Sequence, residues 1–252
     1  MYLIVGGDSA IGSALSAYWQ AKGISHASST RNKEAVTESR PYIDLNANAW
    51  SELEANRYSA VVFCAGVTKL ASCAEHPEAT RKINVEATIA LANFLSIWAV
   101  HLLFLSTNQV FDGSRPNRKV TEKVCPINEY GRQKAEAERL ILQMPRSAVL
   151  RLTKVVHPDM LLLKQWESSL KAGQSIEAFT NMSIAPITQE TVVARIDKLV
   201  HKRETGIFHL SGESDISYYE FAKKFALNLN CNIDLVKAVQ VGRHPSQFTS
   251  LD

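Results

Sequence analysis

Met1-Tyr2-Leu3-Ile4-Val5-Gly6-Gly7-Asp8-Ser9-Ala10-Ile11-Gly12 opens the chain. Tyr2–Val5 is a short apolar run of the kind that forms a strand buried on both faces. A glycine-bearing turn follows. Ala10–Ala21 then repeats apolar residues at helical spacing, with Ile11, Leu15, Tyr18 and Trp19 on one side. A strand that runs through a glycine turn into a helix matches the opening of a dinucleotide-binding unit. The helix N-terminus presents amides without partners and the positive end of a dipole, which suits a pyrophosphate. Gly6 would allow the tight turn and Gly12 close packing of helix on strand, with Ser9, Ala10 and Ile11 between them at the cofactor. A plain strand–turn–helix connection would use the same residues.

Working outward, short β-type runs alternate with helical patterns. Strands are expected at 24–27, 42–45, 60–63, 101–105 and 148–152, and helices at 51–55, 79–99 and 128–142. Such alternation, with near-continuous apolar strands, predicts an α/β fold: a Rossmann-type, doubly wound parallel sheet covered on both faces. After Leu152 the rhythm changes to a helix at 157–170, an extended piece at 184–187, a helix at 190–200, a strand at 206–210 and a helix at 218–227. The expected division is a dinucleotide-binding domain over residues 1–155 and a smaller α/β substrate-binding lobe over 156–252, interleaved with the sheet. The polar tail carries His244-Pro245-Ser246-Gln247, either a terminal arm closing the substrate site or a disordered end.

Composition narrows the function. At 252 residues, with 46% apolar and 21% charged residues, the chain can build a sizeable core. A formal charge of +3 without dense Lys/Arg runs gives no case for nucleic acid. No apolar stretch is long enough for a membrane span, and the N-terminus lacks the pattern of a signal peptide. Cys64, Cys73, Cys125 and Cys231 are scattered, without metal-ligand or disulfide spacing, as in a reduced cytoplasmic protein. The histidines show no metal-ligand spacing either.

The region after the second strand, Ala27-Ser28-Ser29-Thr30-Arg31, has no acid for a ribose 2′-hydroxyl. Thr30 and Arg31 could instead receive a 2′-phosphate, which a guanidinium fork matches, so NADP (as NADPH) is favoured over NAD. Asp44 and Leu45 follow the third strand, where a side chain can flank an adenine. Cys64, Ala65 and Gly66 follow the fourth, where small residues let the backbone approach the cofactor.

Tyr130 and Lys134 lie four apart and share a helix face. A free tyrosine has a pKa of about 10, and a neighbouring ammonium lowers it. Tyr130 could then exchange a proton with a carbonyl or alcohol oxygen as hydride moves at carbon. Lys134 could also hold the nicotinamide ribose. Thr107, at the end of the fifth strand, could hydrogen-bond the same substrate oxygen.

These motifs resemble the extended short-chain dehydrogenase/reductase family, and within it the dTDP-4-dehydrorhamnose reductase-like branch. The branch has Ser-Thr-Asp-Tyr-Val-Phe-Asp-Gly after the fifth strand; here stands Ser106-Thr107-Asn108-Gln109-Val110-Phe111-Asp112-Gly113. An acid, a proline, an Asn-x-Tyr-Gly and a lysine follow in the branch. Their counterparts here look like Glu122, Pro126, Asn128-Glu129-Tyr130-Gly131 and Lys134. Asn84 matches an asparagine that supports the active site from the long helix. Arg151-Leu152-Thr153 and the 206–212 segment also look like the branch, and matching segments run to about residue 225.

The resemblance implies an NADPH-dependent reductase of a 4-keto nucleotide sugar, cytoplasmic, serving deoxysugar and surface-polysaccharide synthesis, with a homodimer common in the superfamily. Two departures stand out. Ser9 replaces the middle glycine of the turn, and Asn108-Gln109 replaces Asp-Tyr. Related dehydratases carry Asp-Glu at that pair, and amides cannot do their acid/base work. An NAD-retaining nucleotide-sugar epimerase and a non-catalytic NADP-binding regulatory subunit are the alternative expectations.

Overall fold

The computed structural model describes residues 1–242 and 249–252. The 244–247 segment, expected as a terminal arm or a disordered end, lies outside the described residues. In chain order the first part contains β1 (Tyr2–Val5), α1 (Ala10–Ala21), β2 (His26–Ser28), β3 (Ala60–Phe63), α2 (Leu70–Glu75), α3 (Pro77–Arg81), α4 (Thr88–Ser96), β4 (His101–Thr107), α5 (Glu129–Ile141) and β5 (Ser147–Leu152). The second part contains β6 (Lys154–Val156), α6 (Leu161–Lys171), β7 (Ile176–Phe179), β8 (Ser183–Ile184), β9 (Pro186–Thr188), α7 (Gln189–Lys202), β10 (Gly206–Leu210), β11 (Ile216–Ser217), α8 (Tyr218–Asn228) and β12 (Val236–Val239).

Six strands form the central sheet in the order β2-β1-β3-β4-β5-β10, every pair parallel. The register runs Val5–Phe63–Phe104–Val149 across the middle. Because side chains alternate between faces, each strand feeds two cores. Leu3, Val5, Val61, Phe63, Phe104 and Val149 pack beneath α4 and α5 through Leu91, Leu95 and Ile141. Ile4, Val62, Leu103 and Leu150 pack on the other face against Leu15 and Trp19 of α1 and Ile196 and Leu199 of α7. The expected doubly wound parallel sheet is the fold observed.

The chain steps from β1 out to β2 and then returns to β3 on the other side of β1. Ligands of open α/β sheets bind at the carboxyl ends of strands at such a switch point. In the second part, β6 pairs with β9, β8 with β11 and β7 with β12. Trp166, Ile176, Ala222 and Val236 form a separate apolar core there. A capping box of Ser217 and Glu220 starts α8. Among the described residues no helix is long and apolar enough to cross a membrane.

Four expected elements differ. The 42–45 segment makes isolated bridges, Thr30 to Tyr42 and Asp44 to Ala49, and no strand. Ile43 and Leu45 are buried as a strand pattern demands, but β2 is only three residues long and supplies no ladder to extend. At 51–55 there is a turn, and a 3-10 turn forms at Ala55–Arg57 instead. The long 79–99 helix is broken into α3 and α4 by a π-helical turn over Lys82–Ala87. Residues 157–160 stay outside the helix expected to start there, and α6 begins at Leu161.

Candidate active site

A cleft of about 400 Å³ opens at the switch point, where Val5, Gly6 and Ser9 face Ala65 and Gly66. Gly6 has φ of +87°, and a Cβ there would lie 2.6 Å from the Ala65 amide nitrogen. A Cβ on Gly12 would lie 2.2 Å from the Gly6 carbonyl oxygen. Both glycines are therefore dictated by close backbone approach. Gly7 is as constrained, since its Cβ would meet Ser28 Oγ at 2.0 Å. The turn is braced by the Gly6 amide, which donates to Ser29 Oγ at 2.9 Å.

Ser9 is the N-cap of α1: its Oγ accepts from the Gly12 amide at 3.1 Å and donates to the Gly6 carbonyl at 2.7 Å. Its hydroxyl proton is thus committed within the turn. The amides of Ala10 and Ile11 have no partner among the described residues, as expected of a first helical turn. Ala10, Ile11 and Gly12 sit behind the cleft and do not line it, and Cys64 also lies outside its lining.

At the far end of the cleft stand Thr30, Arg31, Asp44 and Leu45. Thr30 is 1% exposed, and its Oγ1 donates to Asp8 Oδ2 at 2.8 Å. The same Oγ1 accepts from the Asn32 amide at 3.0 Å. Asp8 Oδ1 is paired with Arg40 Nη2 at 2.7 Å. Thr30 therefore has no proton to offer a 2′-phosphate, contrary to expectation, while Arg31 stays at the cleft. Asp8 and Arg40 carried no site signal in the sequence, because turn, loop and β2 meet only in space.

Thr107, Tyr130 and Lys134 do not line this cleft. They are grouped at the end of β4 by α5. Asn128 N-caps α5, its Oδ1 accepting from the Gly131 amide at 2.8 Å. Gln109 Oε1 accepts from Asn128 Nδ2 at 2.8 Å. A Cβ on Gly131 would lie 2.0 Å from the Gln109 carbonyl oxygen, so helix and turn touch directly. Lys134 Nζ donates to the Leu105 carbonyl at 2.6 Å, two residues before Thr107. Thr107 Oγ1 caps the 3-10 turn Asn108–Val110, accepting from the Gln109 amide at 3.1 Å. Gln109, standing where the resembling branch has tyrosine, is 5% exposed and serves to hold Asn128.

Asn84 joins the two regions. Within the π-helical turn its Oδ1 accepts from the Val67 amide at 2.7 Å, and Val67 lines the cleft. Its Nδ2 donates to the Val67 carbonyl at 2.9 Å and to Gln133 Oε1 at 2.8 Å. Gln133 precedes Lys134 and had no signal of its own in the sequence.

Burial dominates the electrostatics. It lowers Lys134 from 10.5 to about 7, with Glu138 and Cys64 opposing the shift. The Cys64 thiol is pushed up to about 12 by burial. Tyr130 is also raised, by burial and then by Cys73. The lowering of the phenol by Lys134, expected from the spacing, is therefore not found. Tyr130 stays protonated at neutral pH, and its hydroxyl has no hydrogen-bond partner among the described residues. Beneath α5, Arg151 and Glu138 form an ion pair at 2.7 Å with both side chains 3% exposed.

The residues present suit a dinucleotide. The Gly6–Ala65 contact leaves the backbone bare at the switch point, and the Ala10 and Ile11 amides of the first turn of α1 have no partner among the described residues. A parallel switch-point sheet with a capped Tyr-x-x-x-Lys helix beside β4 defines an extended short-chain dehydrogenase/reductase. More narrowly, the chain belongs to the RmlD substrate binding domain family, which matches residues 1–249.

A probable low-salt glycan biosynthesis reductase of Haloferax volcanii is 26% identical over 186 residues, covering 71% of this chain and 62% of the relative. Methionine adenosyltransferase 2 subunit beta of Bos taurus is 27% identical over 175 residues, covering 64% of this chain and 52% of that one. This chain thus spans less than two thirds of either relative's length. A dTDP-4-dehydrorhamnose reductase of Bacillus anthracis, solved in complex with NADP, superposes with a TM-score of 0.86. The identity is 19%, over 99% of this chain and 88% of that one, and the likeness is one of fold.

Proposed function

We propose that this chain reduces a keto sugar, a 4-keto sugar carried on a nucleotide, with NADPH as reductant. The observation that carries this reading is the protonated, unpartnered Tyr130 phenol on a helix that Gln109, Asn128 and Gly131 lock to the end of β4. A protonated phenol is the form that donates to a carbonyl oxygen as it gains negative charge. When bound, the nicotinamide supplies the hydride. Tyr130 delivers the proton to the sugar oxygen, and Thr107 orients that oxygen. Lys134, whose pKa burial lowers from 10.5 to about 7, would hold the nicotinamide ribose from the same helix face as Tyr130.

The turn at Gly6 and the amides of Ala10 and Ile11 would hold the pyrophosphate. Asp44 and Leu45 would flank the adenine. Arg31 lines this end of the cleft beside Asp8 and Asp44, and Asp8 holds Arg40 close by, so a 2′-phosphate would find guanidiniums there, which supports NADPH. The similarity to a glycan biosynthesis reductase supports the substrate class. The experiment is incubation with NADPH and a 4-keto-6-deoxy nucleotide sugar. One NADPH lost per alcohol formed supports reduction; conversion of a nucleotide sugar without net loss indicates an epimerase.

A second reading is a non-catalytic regulatory subunit, favoured by the match to methionine adenosyltransferase 2 subunit beta. It predicts cofactor binding with no turnover of any keto sugar.

A further inference from the structure

The sequence offers no acid after β2, yet the fold brings one to that place. Asp8 leaves the turn after β1 and reaches the end of β2, where it accepts from Thr30 Oγ1 at 2.8 Å and from the Arg31 amide at 3.4 Å. Its other oxygen holds Arg40 at 2.7 Å. Asp8 lines the cleft and its side chain is 51% exposed, so the carboxylate faces whatever occupies this end. Thr30 is used up on Asp8 and Asn32. The charged groups near a ribose here are Asp8, Asp44 and Arg31 in the cleft lining, with Arg40 outside that lining and held by Asp8.

We infer that Asp8 sets cofactor choice at the adenosine ribose: it accepts the 2′-hydroxyl of NADH and holds Arg40 back from the 2′-phosphate of NADPH. This rests on the cleft being the dinucleotide site. A carboxylate is acceptor-only and matches a hydroxyl donor, but it repels a phosphate dianion. The two arginines act in the opposite sense. Their balance gives a protein that binds both cofactors, with a preference for NADPH much smaller than the cations alone would produce. Asp8 is thereby a specificity-determining residue, and the loop arginine Arg40 is its counterweight.

The test is equilibrium titration of NADPH and NADH, read by protein fluorescence, on wild type, Asp8→Asn, Asp8→Ser and Arg40→Ala. Thermal melts confirm that each variant is folded. Removing the carboxylate's charge is expected to tighten NADPH about tenfold or more and to weaken NADH. Arg40→Ala is expected to weaken NADPH several-fold and spare NADH. If wild type binds and both Asp8 variants keep the NADPH/NADH ratio within about twofold, the inference is overturned while the dinucleotide site stands. If wild type binds neither cofactor, both fail.

Discussion

Gly131→Ala probes the contact on which the catalytic geometry rests. The new Cβ would lie 2.0 Å from the Gln109 carbonyl oxygen and 3.0 Å from Pro126 Cβ, whereas ordinary contact begins at 3.4 Å. Helix α5 and the 108–110 turn must therefore part by about 1.4 Å. Overpacking of this kind costs about 1–3 kcal/mol. Alanine's better helix propensity returns up to ~1 kcal/mol. The net loss is about 0–3 kcal/mol, which in a chain of this size lowers Tm by up to roughly 12 °C. The larger effect is on rate. Tyr130 moves with the helix while Thr107 stays on β4, and a misplacement of ~1 Å can cost ~100-fold. The assays are a thermal melt, keto-sugar-dependent NADPH oxidation and NADPH titration. Binding should hold, because the cleft at β1 is built from other residues. A variant with wild-type Tm and wild-type turnover would refute the docking of α5 described above.

Three further outcomes follow from the same geometry. Glu138→Gln removes the charge that compensates the buried Arg151 guanidinium, and urea unfolding should show a loss of about 3–5 kcal/mol. A loss below ~1 kcal/mol would mean that water reaches Arg151. Asn84→Ala leaves the Val67 amide, the Val67 carbonyl and Gln133 without their partner, each at about 1–3 kcal/mol if left unsatisfied. It should lower Tm and weaken cofactor binding together, and an unchanged Kd would separate the cleft from α5. Lys134 is lowered from 10.5 to about 7, so between those values the unfolded chain binds the extra proton and stability rises with pH. That contribution is complete above 10.5 and lost as pH falls through 7. In Lys134→Met the rise measured by urea unfolding should be smaller than in wild type, and equal slopes would contradict a depressed lysine.

Period and punctuation made the sheet legible. The runs at β1, β3, β4 and β5 are buried on both faces, so their central residues are apolar and the sequence looks like a strand. Asn128 and the helix after it were visible for the same local reason, a cap followed by a periodic face. Features that depend on a neighbour were hidden. Ile43 and Leu45 carry a strand pattern, but whether a ladder forms depends on the length of β2. The π-helical turn adds one residue to a helical period and leaves no trace in composition, yet it aims Asn84 at Val67.

At the site, Gly6 and Gly12 were legible because close backbone approach demands glycine there, and Lys134 because its spacing put it on the same helix face as Tyr130. Thr30 was seen as a phosphate ligand because Asp8 lies more than twenty positions away in sequence and 2.8 Å away in space. Gln109 stood out in the sequence only as a departure from the branch's tyrosine. In the fold it is the partner that orients Asn128.

The central claim is that Tyr130 is the proton donor in reduction of a keto sugar. The most direct measurement is single-turnover oxidation of NADPH by a 4-keto-6-deoxy nucleotide sugar, in wild type and Tyr130→Phe, with binding of NADPH measured alongside. Turnover is expected in wild type, with a drop of about 10²- to 10⁴-fold in the variant and NADPH affinity unchanged. Equal rates in the two proteins would contradict it, as would tight NADPH binding by a wild type that reduces no keto sugar.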